Sequence, residues 1–225
     1  MAKGFFGRLA YQRYPAEFLR SISKAGLTED SKILDVGCGS GSLLYTLKQT
    51  GFKNCLGVDK YIPEDIQYEN GLKIQKSVIQ DVDGQWDIII FNHSLEHMFD
   101  QLQTMQAVSK LLAENGVCLI NLPIASNYAW KKYRTNWFHL DAPRHFFLHS
   151  VKSLEILAEK ANLVLRELVY NSTASSILRS EQYIKGIPLC SQPSNSIFSR
   201  GQIKSFELKA EELNLKNRVT QRYSI

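Results

Sequence analysis

The chain has 225 residues, 44% hydrophobic and 22% charged, with a formal net charge of +5. Those proportions exclude a fibrous or extensively disordered protein, no apolar run approaches the roughly 20 residues of a membrane helix, and the length suits one large domain with a full core. Residues 1–125 carry 12 Lys+Arg against 14 Asp+Glu, and residues 126–225 carry 15 against 8, so the basic charge lies in the C-terminal part. A basic half points to an anionic partner such as a phosphate-bearing small molecule, with a solvated face as the alternative; aromatic-interleaved basic repeats are missing, so no nucleic-acid partner is expected.

Residues 5–26 open the chain with an amphipathic pattern, in which Phe5, Phe6, Leu9, Phe18, Leu19 and Ile22 supply one side of a helix or two. Nothing in "MAKGFFGRLAYQRYP" resembles the uninterrupted apolar core of a secretion signal, and a cytoplasmic protein is expected. Strand signals follow at 32–36, 54–59, 73–78, 86–91 and 116–122, alternating with helix signals near 41–49 and 100–113. Continuous apolar strands such as "WDIIIF" separated by helices predict a parallel sheet covered on both faces, a doubly wound α/β architecture. The four cysteines, Cys38, Cys55, Cys118 and Cys190, have neither CxxC spacing nor a disulfide framework and read as buried free thiols.

After Pro123 the periodicity breaks: residues 124–149, rich in Tyr, Trp and His, read as an insertion over the carboxyl edge of the sheet. A helix is predicted over 151–161, a strand in "LVLRELVY", a Ser/Pro/Gly loop over 186–204, a polar helix near 204–214 and a β-like end in "NRVTQRYSI". The resulting division is an N-terminal helical segment (1–29), a ligand-binding core (30–123), the insertion or lid (124–149) and the C-terminal part of the sheet (150–225), all in a single domain.

The stretch "ILDVGCGSGSLL" carries the chemistry. Gly37, Gly39 and Gly41 stand at every second position between a strand-like run and a helix-like one, a turn that aims backbone N–H groups at a ligand above the strand end. Ser42 stands where a dinucleotide fingerprint needs its last glycine, and Asp35 just before the turn would repel a pyrophosphate and attract an ammonium group. Read singly, Asp35, Asp59 and Asp81 are ordinary turn or helix-start acids.

Taken in order, Asp35–Gly37–Gly39–Gly41, Asp59 ending "CLGVD", Asp81–Val82 in "VIQDVD" and "WDIIIFNHSLEHMFD" resemble the class I S-adenosylmethionine-dependent methyltransferases, near the bacterial ubiquinone-type, methyltransferase-23-like group. The resemblance covers residues 32–122. It implies S-adenosylmethionine as cofactor, with Asp59 at the ribose hydroxyls, Asp81 and Val82 at the adenine, and Asn92 at the end of the fourth-strand motif. It also implies a seven-stranded Rossmann-like sheet whose last strand, placed at 217–225, turns antiparallel and inserts centrally.

An oxygen acceptor often needs a base, for which histidine is suited near neutral pH. His97 and His145 are the candidates, with His93, Trp137, His139, Asp141 and Arg144 as substrate residues. "HLDAPRHFFLHS" resembles a stretch of methyltransferases associated with sugar and glycan pathways, which implies O-methylation of a sugar, glycan precursor or similar hydroxyl. "HSLEH" also fits a zinc-peptidase spacing, but it starts at a strand end and not on one helical face. In some methyltransferases an E-x-x-E-H segment holds a divalent ion; here His93 replaces the first glutamate, so no metal is expected. The competing class is an inactive protein of the same fold that binds the cofactor or serves as a scaffold.

Overall fold

A computed structural model of the protein describes Ile22 and residues 26–125, 128–189 and 197–220. The described residues form two compact units, one running to Leu122 and taking in Ile156–Leu163, the other made of Pro123–Glu155 and the chain from Val164 onward.

The first unit is a six-stranded sheet: β1 (Lys32–Val36), β2 (Asn54–Val58), β3 (Ile66–Gln67), β4 (Lys73–Gln75), β5 (Trp86–Asn92) and β6 (Leu112–Asn121). Its strand order is β3-β4-β2-β1-β5-β6. All pairs are parallel except β3 with β4. The apolar runs are continuous because both faces are covered, and successive residues enter opposite cores. Leu34, Val36, Ile89 and Phe91 pack in one cluster with Met105, Val108 and Leu111 of α2 (Gln101–Leu111). Ile33, Ile88 and Ile90 pack in the other with Leu43, Leu44 and Leu47 of α1 (Ser42–Gln49). From β1 the chain moves outward to β2 and β4, then returns to β5 on the other side of β1. The strand order therefore reverses beside β1, and ligands of doubly wound sheets bind at the carboxyl ends around such a point.

The second unit is helical: α3 (Tyr128–Tyr133), 3₁₀ turns at Arg134–Asn136 and Phe138–Leu140, α4 (Val151–Lys160), α5 (Ala174–Ile184) and α6 (Arg200–Thr220). From Ile156 onward α4 is part of the first unit, where Leu157 and Ala161 meet the sheet core. Tyr133, Trp137, Ile177 and Ala210 form the second unit's own core, with Ala129, Trp130, Phe206 and Leu213 against it. Between Tyr128 and Leu140 the chain forms a short helix and two 3₁₀ turns.

Two expected strands are missing. Residues 163–170 form no strand, and 217–220 are helical, so the described residues show six strands and not seven. At the end of α6 the strong helix formers of "ELKAEELNLKNR", joined by the pairs Lys204–Glu207 (3.0 Å) and Lys209–Glu212 (2.9 Å), carry helix over Val219 and Thr220, because extending a helix is far easier than starting a strand without a partner. The predicted N-terminal helices, Ile22 aside, and the predicted end at 221–225 lie outside the described residues. Among the described residues no helix is long and apolar enough to cross a membrane.

Candidate functional site

The carboxyl ends of β1, β2 and β5 place the sequence's glycine turn beside Asp59 and the "NHSLEH" segment. The turn is fastened to β2: Gly37 N–H and Cys38 N–H both donate to the Val58 carbonyl, at 2.8 and 3.3 Å. It is fastened to the segment after β5 by Ser94, whose hydroxyl donates to the Val36 carbonyl at 2.6 Å.

The three glycines answer different needs. Gly37 has φ 71°, and a Cβ on it would stand 2.5 Å from Ser94 Cβ, so it admits the segment after β5. Gly41, at φ 77°, begins α1 where a Cβ would meet the Ile74 side chain. Gly39, at φ 55°, would meet nothing within 4 Å, so the turn keeps open space at its apex. A further tight approach went unnoticed in the sequence: a Cβ on Gly57 of β2 would lie 2.6 Å from Cys38 Sγ.

Asp59 is tied down by backbone, accepting from Gly39 N–H and from Tyr61 N–H, each at 2.8 Å. Asp35 on β1 is 3% exposed, and its Oδ1 is buried without a hydrogen-bond partner. Burial, reinforced by the charge of Asp59, raises the Asp35 carboxyl from 3.8 to about 7. A buried oxygen lacking a donor fits a cationic ligand group, and the open apex at Gly39 fits the ligand's approach to the main chain. These two observations suit the cofactor that the sequence motif implies.

Asp81, itself exposed, ends a 3₁₀ turn (Ile79–Asp81) that buries Ile79, and Val82 beside it is 8% exposed. At the end of β5, Asn92 Oδ1 accepts from Asn121 Nδ2 at 2.7 Å, and His93 N–H donates to the Asn121 carbonyl at 2.8 Å. His93 has φ 54° and a side chain 49% exposed, with Nδ1 3.4 Å from Glu96 Oε1. Glu96 is 1% exposed and neither of its oxygens accepts a hydrogen bond. His97 closes that 3₁₀ turn, its N–H donating to the Ser94 carbonyl at 3.1 Å. His93 stands where the family's metal segment has its first glutamate, so this turn offers Glu96 as its carboxylate. Sequence reading saw neither the tie made by Ser94 nor the depth of Glu96; the only signal was their place after an apolar strand.

Among the described residues the thiols hold no nucleophile. Burial pushes Cys55 up to about 11, Cys118 up to about 12 and Cys38 beyond that range, so all three stay protonated at neutral pH.

The second unit brings its own candidates together. The Asp141 carboxylate accepts a fork from Arg144 (Nη2 to Oδ2, 2.6 Å; Nη2 and Nε to Oδ1, 2.8 and 3.2 Å), and His145 Nε2 lies 3.6 Å from Oδ2. His145 Nδ1 is 2.8 Å from the His139 carbonyl, and His139 Nε2 is 3.0 Å from Ser176 Oγ on α5. The His145 side chain is 6% exposed, with Nδ1 on the His139 carbonyl and Nε2 facing Asp141. Trp137, expected at a pocket wall, is 1% exposed inside the unit's core with its indole N–H unpartnered.

Comparison with known proteins agrees with this geometry. The methyltransferase-domain family matches residues 8–168. A ribosomal protein L11 methyltransferase of Thermosipho africanus is 29% identical over 127 residues, 50% of this chain and 46% of that protein. A ubiquinone biosynthesis O-methyltransferase of Rickettsia bellii is 27% identical over 175 residues, 69% of this chain and 72% of that protein. The chain thus spans under half of the first relative and nearly three quarters of the second. Among solved structures, the YcgJ protein of Bacillus subtilis shares the fold with a TM-score of 0.55 at 16% identity, covering 80% of this chain and 87% of that one. Magnesium protoporphyrin IX methyltransferase of Synechocystis, with bound SAH, gives 0.55 at 14% identity, covering 77% and 84%.

Proposed function

Because this chain belongs to the methyltransferase-domain family, as a class I S-adenosylmethionine-dependent methyltransferase, we propose that it transfers a methyl group to a hydroxyl of a small acceptor, of the kind found on a sugar or glycan precursor. The observation that carries the cofactor half of the reading is the buried, unpartnered Asp35 Oδ1 below a glycine turn whose apex is open at Gly39. The cofactor supplies an electrophilic methyl carbon on a sulfonium, and the protein's own work is to bind, align and keep water away from that centre.

In this reading Asp35 meets the ammonium group, Gly37, Gly39 and Gly41 let the main chain come close, Asp59 takes the ribose hydroxyls, and Asp81, Val82 and Asn92 hold the base and the methionine side. Asp59 already accepts two backbone N–H groups, which fixes its plane while leaving carboxylate lone pairs for hydroxyl donors. His139, Asp141 and Arg144 are assigned to the acceptor by their chemistry, since a guanidinium and imidazoles bind hydroxyl and anionic groups, and the basic C-terminal part favours an anionic acceptor.

Calorimetric titration with S-adenosylhomocysteine tests the cofactor half: micromolar binding is expected, weakened by Asp35→Asn and Asp59→Ala, and folded protein that binds nothing at millimolar concentration refutes it. A panel of sugars, nucleotide sugars and phenols with methyl-labelled cofactor tests the acceptor half. Label found only on proteins or amines would rule out hydroxyl transfer.

A further inference from the structure

Resting on the methyl-transfer reading above, we propose that His93, oriented by Glu96, is the base that takes the acceptor's proton. The sequence points to His97 or His145 for that task, and the geometry around the end of β5 points elsewhere.

The backbone of His93 gives the first indication. It adopts φ 54° directly after the last residue of β5, pinned there by the 2.8 Å bond from its N–H to the Asn121 carbonyl. A left-handed non-glycine residue is strained and persists where its surroundings impose it, often at functional sites. Its effect is to take the His93 side chain out of the in-and-out alternation of the strand, at the sheet edge where β5 meets the glycine turn through Ser94.

Glu96 gives the second. A carboxylate 1% exposed with no hydrogen bond to either oxygen is costly to keep. His93 Nδ1 stands 3.4 Å from Oε1, too long for a well-aligned bond and within reach of one by a small ring rotation. Catalytic contacts of this kind commonly tighten as substrate binds. Glu96 is a positioning residue: by accepting from Nδ1–H it fixes the neutral tautomer in which Nε2 carries the lone pair. The ring, 49% exposed, can then pass a proton onward to water.

His145, in contrast, has Nδ1 committed to the His139 carbonyl and Nε2 facing Asp141, in a side chain 6% exposed. His97 follows Glu96 directly and is the internal comparison.

The step balances. The acceptor oxygen forms a bond to the methyl carbon with the electron pair released from its O–H bond; the C–S bond breaks and its pair stays on sulfur as a thioether; the proton moves to His93 Nε2 and leaves to solvent.

The test uses the full chain with ¹⁵N-labelled histidine and long-range ¹H–¹⁵N spectra, His93 being assigned by its loss in His93→Asn. The neutral His93 ring is expected as the Nδ1–H tautomer in the wild type and as the common Nε2–H tautomer in Glu96→Gln. With catechol as acceptor probe, His93→Asn should lower kcat about 100-fold or more and Glu96→Gln about 10-fold. His97→Asn should lower kcat less than His93→Asn does, and a larger loss in His97→Asn overturns the proposal. KM for S-adenosylmethionine and the affinity for S-adenosylhomocysteine should change less than twofold in His93→Asn. An Nε2–H tautomer in the wild type overturns the proposal, whether or not catechol is methylated, and so does full activity of His93→Asn. Failure of the wild type to bind S-adenosylhomocysteine would instead sink the cofactor reading, which the tautomer does not depend on.

Discussion

The two units hold their polar groups in place by different means. In the first, beside the side-chain ties of Ser94 and Asn121, backbone does the holding: Gly37 and Cys38 bond to the end of β2, Asp59 is fixed by two N–H groups, and His93 is fixed by β6. In the second, side chains do it. Ser180 Oγ accepts from Phe138 N–H at 2.9 Å, Glu181 binds both Lys132 Nζ (2.5 Å) and Tyr133 Oη (2.8 Å), Ser176 meets His139, and Arg179 lies 4.7 Å above the Phe138 ring. A backbone-built site is sensitive to Cβ atoms and to φ, whereas one built from side chains is sensitive to truncation. Substitutions should therefore divide by unit.

The largest effect expected is in the second unit's core, where Trp137→Ala removes a side chain 1% exposed and should cost about 3–5 kcal/mol in urea unfolding. Trp137→Phe also removes the unpartnered indole N–H, so it should cost far less than alanine. If the two substitutions cost the same, polar truncation rather than core volume governs this unit.

A change of similar size and opposite sign is expected at Asp35. The fold holds this carboxyl at about 7 against 3.8 ordinarily, so the folded chain binds the proton more tightly than the unfolded chain does. The stability this confers is fully present below about pH 4 and is lost as pH rises to about 7. At about 1.4 kcal/mol per pH unit, Asp35→Asn should be more stable than the wild type at pH 8 by on the order of 4 kcal/mol, with the difference fading towards pH 4. Thermal melts of both proteins from pH 4 to 8 measure it, and a pH-independent difference would show that Asp35 is not held protonated by burial. The same substitution should weaken cofactor binding, which links the cost in stability to a gain in function.

Next comes a pair that sharpens the comparison within one turn. Gly37→Ala meets Ser94 at 2.5 Å as well as adopting φ 71°, and should cost about 3 kcal/mol. Gly39→Ala meets nothing and should cost about 1 kcal/mol, yet weaken S-adenosylhomocysteine binding at least 10-fold by filling the apex. Melting curves and calorimetry on both variants read the two effects apart; equal losses of stability would remove the distinction. The smallest effect expected is about 1 kcal/mol for Ser180→Ala, which strands Phe138 N–H, with cofactor affinity unchanged.

Legibility in the sequence follows the same division. Backbone demands are written in residue type: apolar runs and alternate glycines located β1, β2, β5 and α1 and the turn between β1 and α1. Side-chain networks of Ser, Thr and Glu have no spacing of their own, so the role of α5 in holding His139 and Phe138 left no mark. The buried, unpartnered state of Glu96 depends on what packs around it and is equally silent. The missing strand at 163–170 is instructive, because residues 163–166 do alternate between partly buried and exposed. Alternation specifies an extended chain with one side covered, and says nothing of whether a hydrogen-bonding partner exists. At 217–220 β-favouring residues lost to the cooperativity of the helix before them.

The placement of β1 between β2 and β5 also imposes an order of events in time. Lys32 pairs with Asn54, but Ile33 pairs with Ile88, so the second ladder closes a loop of about 55 residues against about 22 for the first. The longer closure costs roughly 0.8 kcal/mol more in chain entropy, and on a ribosome it must wait until β5 and the residues after it have emerged. During that interval β1 has one ladder filled and one edge of bare N–H and carbonyl groups, flanked by the fully apolar side chains of Ile33 and Leu34. The strand that ends at the glycine turn is therefore, while the chain is being made, the one most exposed to pairing with a neighbouring chain.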